Sequence, residues 1–422
     1  MANREIQQIP RGQPRFYYGW IVLVACLIIV VTATGIRFSF GVFFKPLEAD
    51  FELSRALTSQ IFSVHMVVGS LFTILAGWAL DRYKPKILFI TMGLLTGFSL
   101  LLTSQASELW HVYVSYSLLF AIGSGPVWIL ASSIALRWFA KERGLASGIV
   151  TSGMGIGLMV MTPLSAWLIA GYGWQTSFFI LALLAFIIII PCAFLLKGAP
   201  YENIASPNSV KMSISRSNAP EKEHYGEKED LSLLQAVRTS TFWLLFFVPF
   251  LMACCIFIVF THIVPHATDL GITPIRAASI LSIVGGTEIL GRLLMGKASD
   301  SIGRKRTIMI CVFLTAGAML LLVWASSLWM FYLFAFMFGF SYGGVAPSFY
   351  ALIGDFFGMR HIGVIMAVIN STWGIGGAVG PMLAGYIYDV SSSYGLAFVT
   401  GTLALLLIAG LVYMLRIPKI KI

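Results

Sequence analysis

The chain has 422 residues, of which 58% are hydrophobic and only 11% charged, with a formal net charge of +10 and a mean hydropathy of +0.87. Soluble domains carry about 25% charged residues, and repeated apolar runs of roughly twenty residues mark membrane spans. The composition therefore excludes a soluble globular chain and predicts an all-α integral membrane protein.

In chain order, the short basic segment "MANREIQQIPRGQPR" comes first. The apolar run behind it is too long for a signal-peptide core, so it is expected to be retained as the first helix. Twelve spans are predicted: 17–44, 55–80, 87–105, 109–137, 143–170 and 174–196, then 240–268, 274–299, 306–326, 328–357, 360–388 and 393–416. Each can cross a hydrocarbon core of about 30 Å at about 1.5 Å per residue. The runs are continuous, unlike the alternating segments of about ten residues that build membrane barrels. Between the sixth and seventh spans, residues 197–238 are polar, mixed in charge and rich in Ser, Pro and Asn, the composition of a flexible linker. The linker divides the chain into a six-helix half, 1–196, and a second six-helix half, 239–422.

With the N-terminus in the cytoplasm, all but five of the 28 Lys and Arg residues fall in the tails and even-numbered loops. Lys45, Arg55 and Arg276 lie on the other side, and Arg37 and Arg292 lie within spans. This asymmetry follows the positive-inside rule. It puts both termini of a cell-membrane protein in the cytoplasm and accounts for the net charge without a nucleic-acid partner. The cysteines Cys26, Cys192, Cys254, Cys255 and Cys311 all fall in spans. No Cys or His set has the spacing of a disulfide framework or a metal site, so no cofactor is expected.

The halves repeat each other. "GWALDRYKPK" (77–86) matches "GKASDSIGRK" (296–305) at an offset of 219, pairing Gly77 with Gly296 and Asp81 with Asp300. The same offset carries Pro46 to Pro265, Asp50 to Asp269, Gly144 to Gly363, Ser152 to Ser371, Gly155 to Gly374 and Gly157 to Gly376. One constant shift over sites so far apart marks a duplication. Six helices per unit make the repeat parallel, and such units rock around a shared site near the bilayer midplane.

These features resemble the major facilitator superfamily, whose signature between the second and third spans is similar to G-x-x-x-D-R-x-G-R-[KR]. "GKASDSIGRKR" (296–306) fits it apart from Ser301, and the first copy departs at Lys84 and Pro85. The resemblance implies twelve transmembrane helices in two pseudo-symmetric halves. It also implies a gating role for Asp81, Arg82, Asp300 and Arg304, which would brace neighbouring helix ends. "RWFAKERGLASGIVTSGMGIG" (137–157), "VRTSTFWLL" (237–245), "FYYGWIVL" (16–23) and "FGVFFKPLEADF" (40–51) resemble the monocarboxylate-transporter branch, which is related to oxalate/formate antiporters. "GMGIG" is not a dinucleotide fingerprint, because it lies inside a span with no preceding strand.

The stretch "GGTEILGRLL" (285–294) places Glu288 and Arg292 four residues apart, on one side of the eighth helix. Arg292 is expected roughly 12 Å into the bilayer from Asp300, with Glu288 about 6 Å deeper. A charge at that depth costs about 2.5–3.5 kcal/mol, whereas an i,i+4 pair on a surface returns only about 0.2–0.5 kcal/mol. The pair is therefore read as functional. Arg292 offers a planar fork for a carboxylate, and Glu288 offers a proton site. The resemblance implies the same roles, since monocarboxylate transporters carry an acid and an Arg at this spacing, usually with Asp as the acid. Animal members also have a first-span Lys. On the "VFFK" alignment that position is Phe38, with Arg37 beside it and about 100° away around the helix.

Arg37 and His65 join the proton-coupling candidates, while Tyr350, Tyr342, Tyr116, Trp128 and Phe38 join Arg292 as substrate-binding candidates. Of these, the resemblance ranks Tyr350 first as a limit on substrate size. His262 and His266 are expected to line the outer vestibule, and Asn370 to bridge helices. The implied cavity is small and apolar with a cationic anchor. It suits L-lactate or pyruvate moved with protons, in a lipid bilayer and without an obligatory protein partner. The alternatives are an oxalate/formate-type anion antiporter, in which Arg37 supplies a second cation, and a transporter-like organic-acid sensor. No nucleophile–base set suggests an enzyme.

Overall fold

The computed structural model describes residues 17–80, 82–139, 143–198, 231–358 and 362–415, and all the elements named here lie within them. The first half contains α1 (Gly19–Asp50), α2 (Arg55–Leu80), α3 (Pro85–Ser104), α4 (Leu109–Trp138), and the pair α5 and α6 running from Arg143 to Leu195. The second contains α7 (Ser240–Asp269), α8 (Pro274–Ile302), α9 (Arg304–Leu321), α10 (Leu328–Phe357), α11 (Ile362–Ser391) and α12 (Gly395–Met414). Ten of these helical stretches are long and apolar enough to cross a membrane. The twelve expected spans are recovered because α5 and α6 form one continuous stretch and α9 opens on three basic residues, Arg304, Lys305 and Arg306.

Local chemistry explains the boundaries. Gly173 (φ 77, ψ 170) turns α5 into α6, and Gly303 (φ 95) separates α8 from α9; a side chain strains both conformations. In the first repeat the position matching Gly303 is Lys84, which sits extended (φ −62, ψ 133) before Pro85 at the start of α3. A residue before proline is driven to that region, and proline suits the first helical turn. The departure from the signature is thus a second solution to the same corner. α1 runs beyond the expected position 44 to Asp50, carrying Lys45 and Pro46 within a helix that is interrupted at Ser39. α4 contains a π-helical stretch, Tyr113–Phe120.

The halves meet through α2 against α11, α5 against α8, and α1 against α7. A Cβ on Gly155 would lie 2.5 Å from the Gly285 carbonyl, and one on Gly41 2.5 Å from the Phe260 carbonyl. The Ser63 hydroxyl donates to Ala378 O at 2.6 Å. Near the α2–α3 corner and the start of α5, a Cβ on Gly77 or Gly148 would meet nothing within 4 Å. The hydrogen bonds between the halves run from the Arg292–Thr151 contact to the ends of α1 and α7; that end is the closed face, and the end with the α2–α3 and α8–α9 corners is the parted face.

The closed face is locked by Arg55, which is 6% exposed. Its guanidinium donates to both Asp269 oxygens (2.6 and 3.0 Å), to Glu48 (3.2 Å) and to the Tyr394 hydroxyl (2.8 Å). It also lies 3.7 Å over the Tyr388 ring. Lys45 pairs with Asp269 as well. Asp389 of α11 accepts the Arg55 and Ala56 backbone N–H groups, each at 2.9 Å, and so caps α2 from the other half. A hydrogen bond to a charged group contributes about 1.5–3 kcal/mol. Replacing Asp269 with Asn is therefore expected to raise thiol labelling of a Ser63→Cys reporter from this face by about tenfold, a shift of about 1.4 kcal/mol. Labelling with a membrane-impermeant maleimide, against the same reporter with Asp269 intact, measures it.

Candidate functional site

Two cationic positions face the middle of the bundle, one from each half. On α8, Glu288 is 1% exposed and its Oε1 accepts from Arg292 across one helical turn. The other Arg292 terminal nitrogen, Nη1, donates to the Thr151 carbonyl of α5 at 2.7 Å. Arg292 therefore bonds its own helix and the opposite half at once, one turn along α5 from Gly155 and about two turns along α8 from Gly285, where the two helices approach closely. Glu288 Oε2 and Arg292 Nε are buried with no hydrogen-bond partner.

The second cation, Arg37 on α1, is partly buried. No carboxylate among the described residues lies within ion-pair distance of it. Its Nη2 donates to the Met66 sulfur at 3.0 Å, and its Nε is buried without a partner. The neighbouring walls are made by α2 and α4, where Gly69 and Gly125 let the backbones close together. The Tyr116 hydroxyl donates to the Arg37 carbonyl at 3.4 Å. Phe38 reaches α7, with its ring 5.9 Å from Phe257 and 5.6 Å from Phe260. The Arg37 guanidinium still folds back to within 5.3 Å of the Phe38 ring centroid, so that ring touches both α7 and the cation.

His65 is fully buried, stacked on Phe62 and beside Tyr116 and Phe120. Its Nδ1 lies 3.2 Å from the Tyr116 carbonyl, which belongs to the π-helical stretch of α4. Such wide turns free backbone carbonyls and recur at functional sites. An Nδ1–H donated there leaves Nε2 as a bare acceptor, and that atom has no partner. The Trp128 indole N–H is likewise buried and unpartnered. Tyr342 of α10 packs edge-on against Phe260, 6.2 Å away. Tyr350 donates to Asn370 Oδ1 at 3.1 Å, so Asn370 bridges α10 and α11 as expected.

Other expected positions fall elsewhere. His262 does not line an open vestibule: it is 0% exposed, with Nδ1 3.0 Å from the Tyr394 hydroxyl and Nε2 2.8 Å from Pro381 O and 3.2 Å from Ser59 Oγ. His266 is packed among Phe331, Tyr394 and Phe398. The closed face has consumed both. At the parted face Arg304 pairs with Asp355 at 3.2 Å, bracing α9 against α10. Asp300 lines a surface recess with Lys297 and Ser301. Arg82 lies 4.0 Å over the Trp78 ring, and Asp81 lies outside the described residues.

Sequence reasoning did not find the Arg55 lock, the Thr151 carbonyl or Met66. The only signal for the first was Asp269 as the repeat partner of Asp50. A backbone carbonyl and a methionine carry no signal at all.

The family model of the Major Facilitator Superfamily matches residues 25–287 and again 263–421. The chain belongs to this superfamily. Among its relatives, monocarboxylate transporter 13 of Rattus norvegicus is 27% identical over 417 residues, covering 95% of this chain and 89% of that protein. Monocarboxylate transporter 12 of Homo sapiens is 23% identical over 414 residues, covering 90% and 77%. The uncharacterized MFS-type transporter YhjX of Escherichia coli (strain K12) is 24% identical over 364 residues, covering 85% of each chain. The fold matches the crystal structure of a bacterial homologue of the human lysosomal transporter Spinster, in an inward-facing and unoccupied conformation. That match has a TM-score of 0.75 at 16% identity, over 96% of this chain and 98% of that one. The expected fold is borne out, and the chain is a membrane transporter of this superfamily.

A partly buried guanidinium held by a thioether and a ring face should bind a carboxylate strongly. L-lactate is expected to raise the melting temperature of the detergent-purified protein, and this shift should vanish in Arg37→Gln. Thermal-shift titration of both proteins checks it.

Proposed function

We propose that this chain is an alternating-access carrier of small monocarboxylates, L-lactate and pyruvate among them, which moves each anion together with a proton across the cell membrane. The observation that carries this reading is the charge inventory of the centre: Arg37 without a carboxylate partner among the described residues, against Arg292 neutralised by Glu288. With Glu288 ionised, the centre holds one uncompensated positive charge, and one monoanion balances it. The monocarboxylate relatives support the same substrate class.

In this reading the substrate carboxylate lands on the Arg37 fork, within reach of Arg292. Its short apolar body lies among Phe38, Tyr116, Trp128, Tyr342 and Tyr350. Glu288 takes the proton on Oε2, the oxygen that Arg292 leaves free, and His65 completes the polar surroundings of Arg37. Adding one monoanion and one proton returns the centre to the net charge it had when empty. The loaded and empty carriers therefore meet the same electrostatic barrier in the bilayer. Asp81, Arg82, Asp300 and Arg304 keep the gating role at the parted face, with the six-helix units 1–196 and 239–422 as the moving parts. With the termini in the cytoplasm, the described conformation opens inward and the Arg55 lock seals the outside.

Arg37 also favours a second reading. If Glu288 is held protonated, two free guanidinium groups remain, a charge matched by a dianion such as oxalate, exchanged for formate. Uptake of labelled L-lactate into proteoliposomes under an imposed inward proton gradient separates the two. Wild type should accumulate lactate. Glu288→Gln should lose the stimulation by the gradient, and Arg292→Lys should lose roughly tenfold or more of the uptake, because one charged hydrogen bond is worth about 1.5–3 kcal/mol. Gradient-driven uptake kept by both variants would return the pair to a structural role. Oxalate–formate counterflow without lactate uptake would replace symport by exchange.

A further inference from the structure

Arg37 carries five N–H donors, yet the side-chain acceptor recorded for its guanidinium is the Met66 sulfur, at 3.0 Å. A thioether is a weak acceptor, and the Phe38 ring face 5.3 Å away satisfies none of the N–H groups, so a cation served this way gains when a carboxylate arrives. Met66 is 2% exposed. It sits where α2 meets α11 of the other half: a Cβ on Gly377 would lie 2.5 Å from Met66 Cε and 2.9 Å from the Phe257 ring. Its carbonyl accepts the Ser70 hydroxyl at 2.8 Å within α2, so the backbone at this turn is fixed and only the flexible thioether can move.

We infer that Met66 is a specificity-determining residue, a soft placeholder that occupies the Arg37 guanidinium in the empty carrier and yields it to the substrate carboxylate. The inference rests on Arg37 being the carboxylate anchor. A charged oxygen displaces sulfur readily, because charge-assisted hydrogen bonds are about twice as strong as neutral ones. A neutral carbonyl or hydroxyl oxygen gains far less, so the placeholder screens for anions. Met66 also packs against Gly377 of the other half, so the acceptor it presents to Arg37 depends on whether the two halves are closed together around it.

The test uses the full chain in proteoliposomes and compares Met66→Leu with Met66→Gln for L-lactate uptake. Leu keeps the volume and removes the acceptor, so KM is expected to fall about two- to threefold. Gln supplies a stronger neutral acceptor that competes with the substrate, so KM should rise about fivefold. The maximal rate should change little in either, and the opposite signs are the signature of competition. KM shifts in the same direction, or changes confined to the maximal rate, would reduce Met66 to a packing residue and overturn the inference. Arg37→Gln, measured alongside, tests the underlying reading separately. Lactate KM raised at least tenfold supports the anchor, whereas an unchanged KM overturns both the anchor and the placeholder.

Discussion

Holding a permanent positive charge away from water is the constraint on which the middle of this molecule depends. Arg37, Arg292 and Arg55 each meet it differently. Arg55 is saturated by two carboxylates, a phenol and a ring face, and acts as a fastening. Arg292 is neutralised by a carboxylate on its own helix and uses its remaining reach to touch the other half. Arg37 has a sulfur and, 5.3 Å away, the face of the Phe38 ring. Read in that order, the three guanidinium groups grade from structural to receptive, and the gradient follows the acceptors that surround each, since residue type is the same throughout.

The duplication supplies the frame, and departures from it supply the asymmetry that function requires. Asp50 and Asp269 are repeat partners at the ends of α1 and α7. Asp50 accepts the Trp174 indole N–H at 2.5 Å and ties α1 to α6 within its own half. Asp269 instead accepts Arg55 and Lys45 from the other half. The same inherited carboxylate has become an internal brace in one copy and a cross-half bond in the other. Likewise, the α2–α3 corner uses an extended Lys84 before Pro85, while α8–α9 uses a left-handed Gly303.

Hydropathy, the basic-residue asymmetry and the repeat offset made the twelve-helix architecture legible in the sequence, because the bilayer imposes length and polarity on every span. The Glu288–Arg292 contact was legible for the same reason: two charges one turn apart in an apolar helix have few ways to be arranged. Legibility ended where pairing depended on which helices meet. Arg55 reads as a loop cation, and only the approach of the start of α2 to the ends of α1 and α7 buries it among acids. His262 reads as a vestibule residue, and only the closed face turns it inward. The Met66 and Thr151 acceptors were out of reach because a thioether and a main-chain carbonyl carry no mark of polarity in a string of letters.

The cap that Asp389 places on α2 has a consequence for how the closed face parts. The first N–H groups of a helix lack partners in their own turn, and here the other half of the protein provides two of them. Separating the halves strips that cap, so the first turn of α2 must either accept water or unwind. The start of α2 therefore belongs to both halves in one conformation and to neither in the other. Amide hydrogen exchange at Arg55 and Ala56 consequently becomes a native clock for the opening, readable with no label attached.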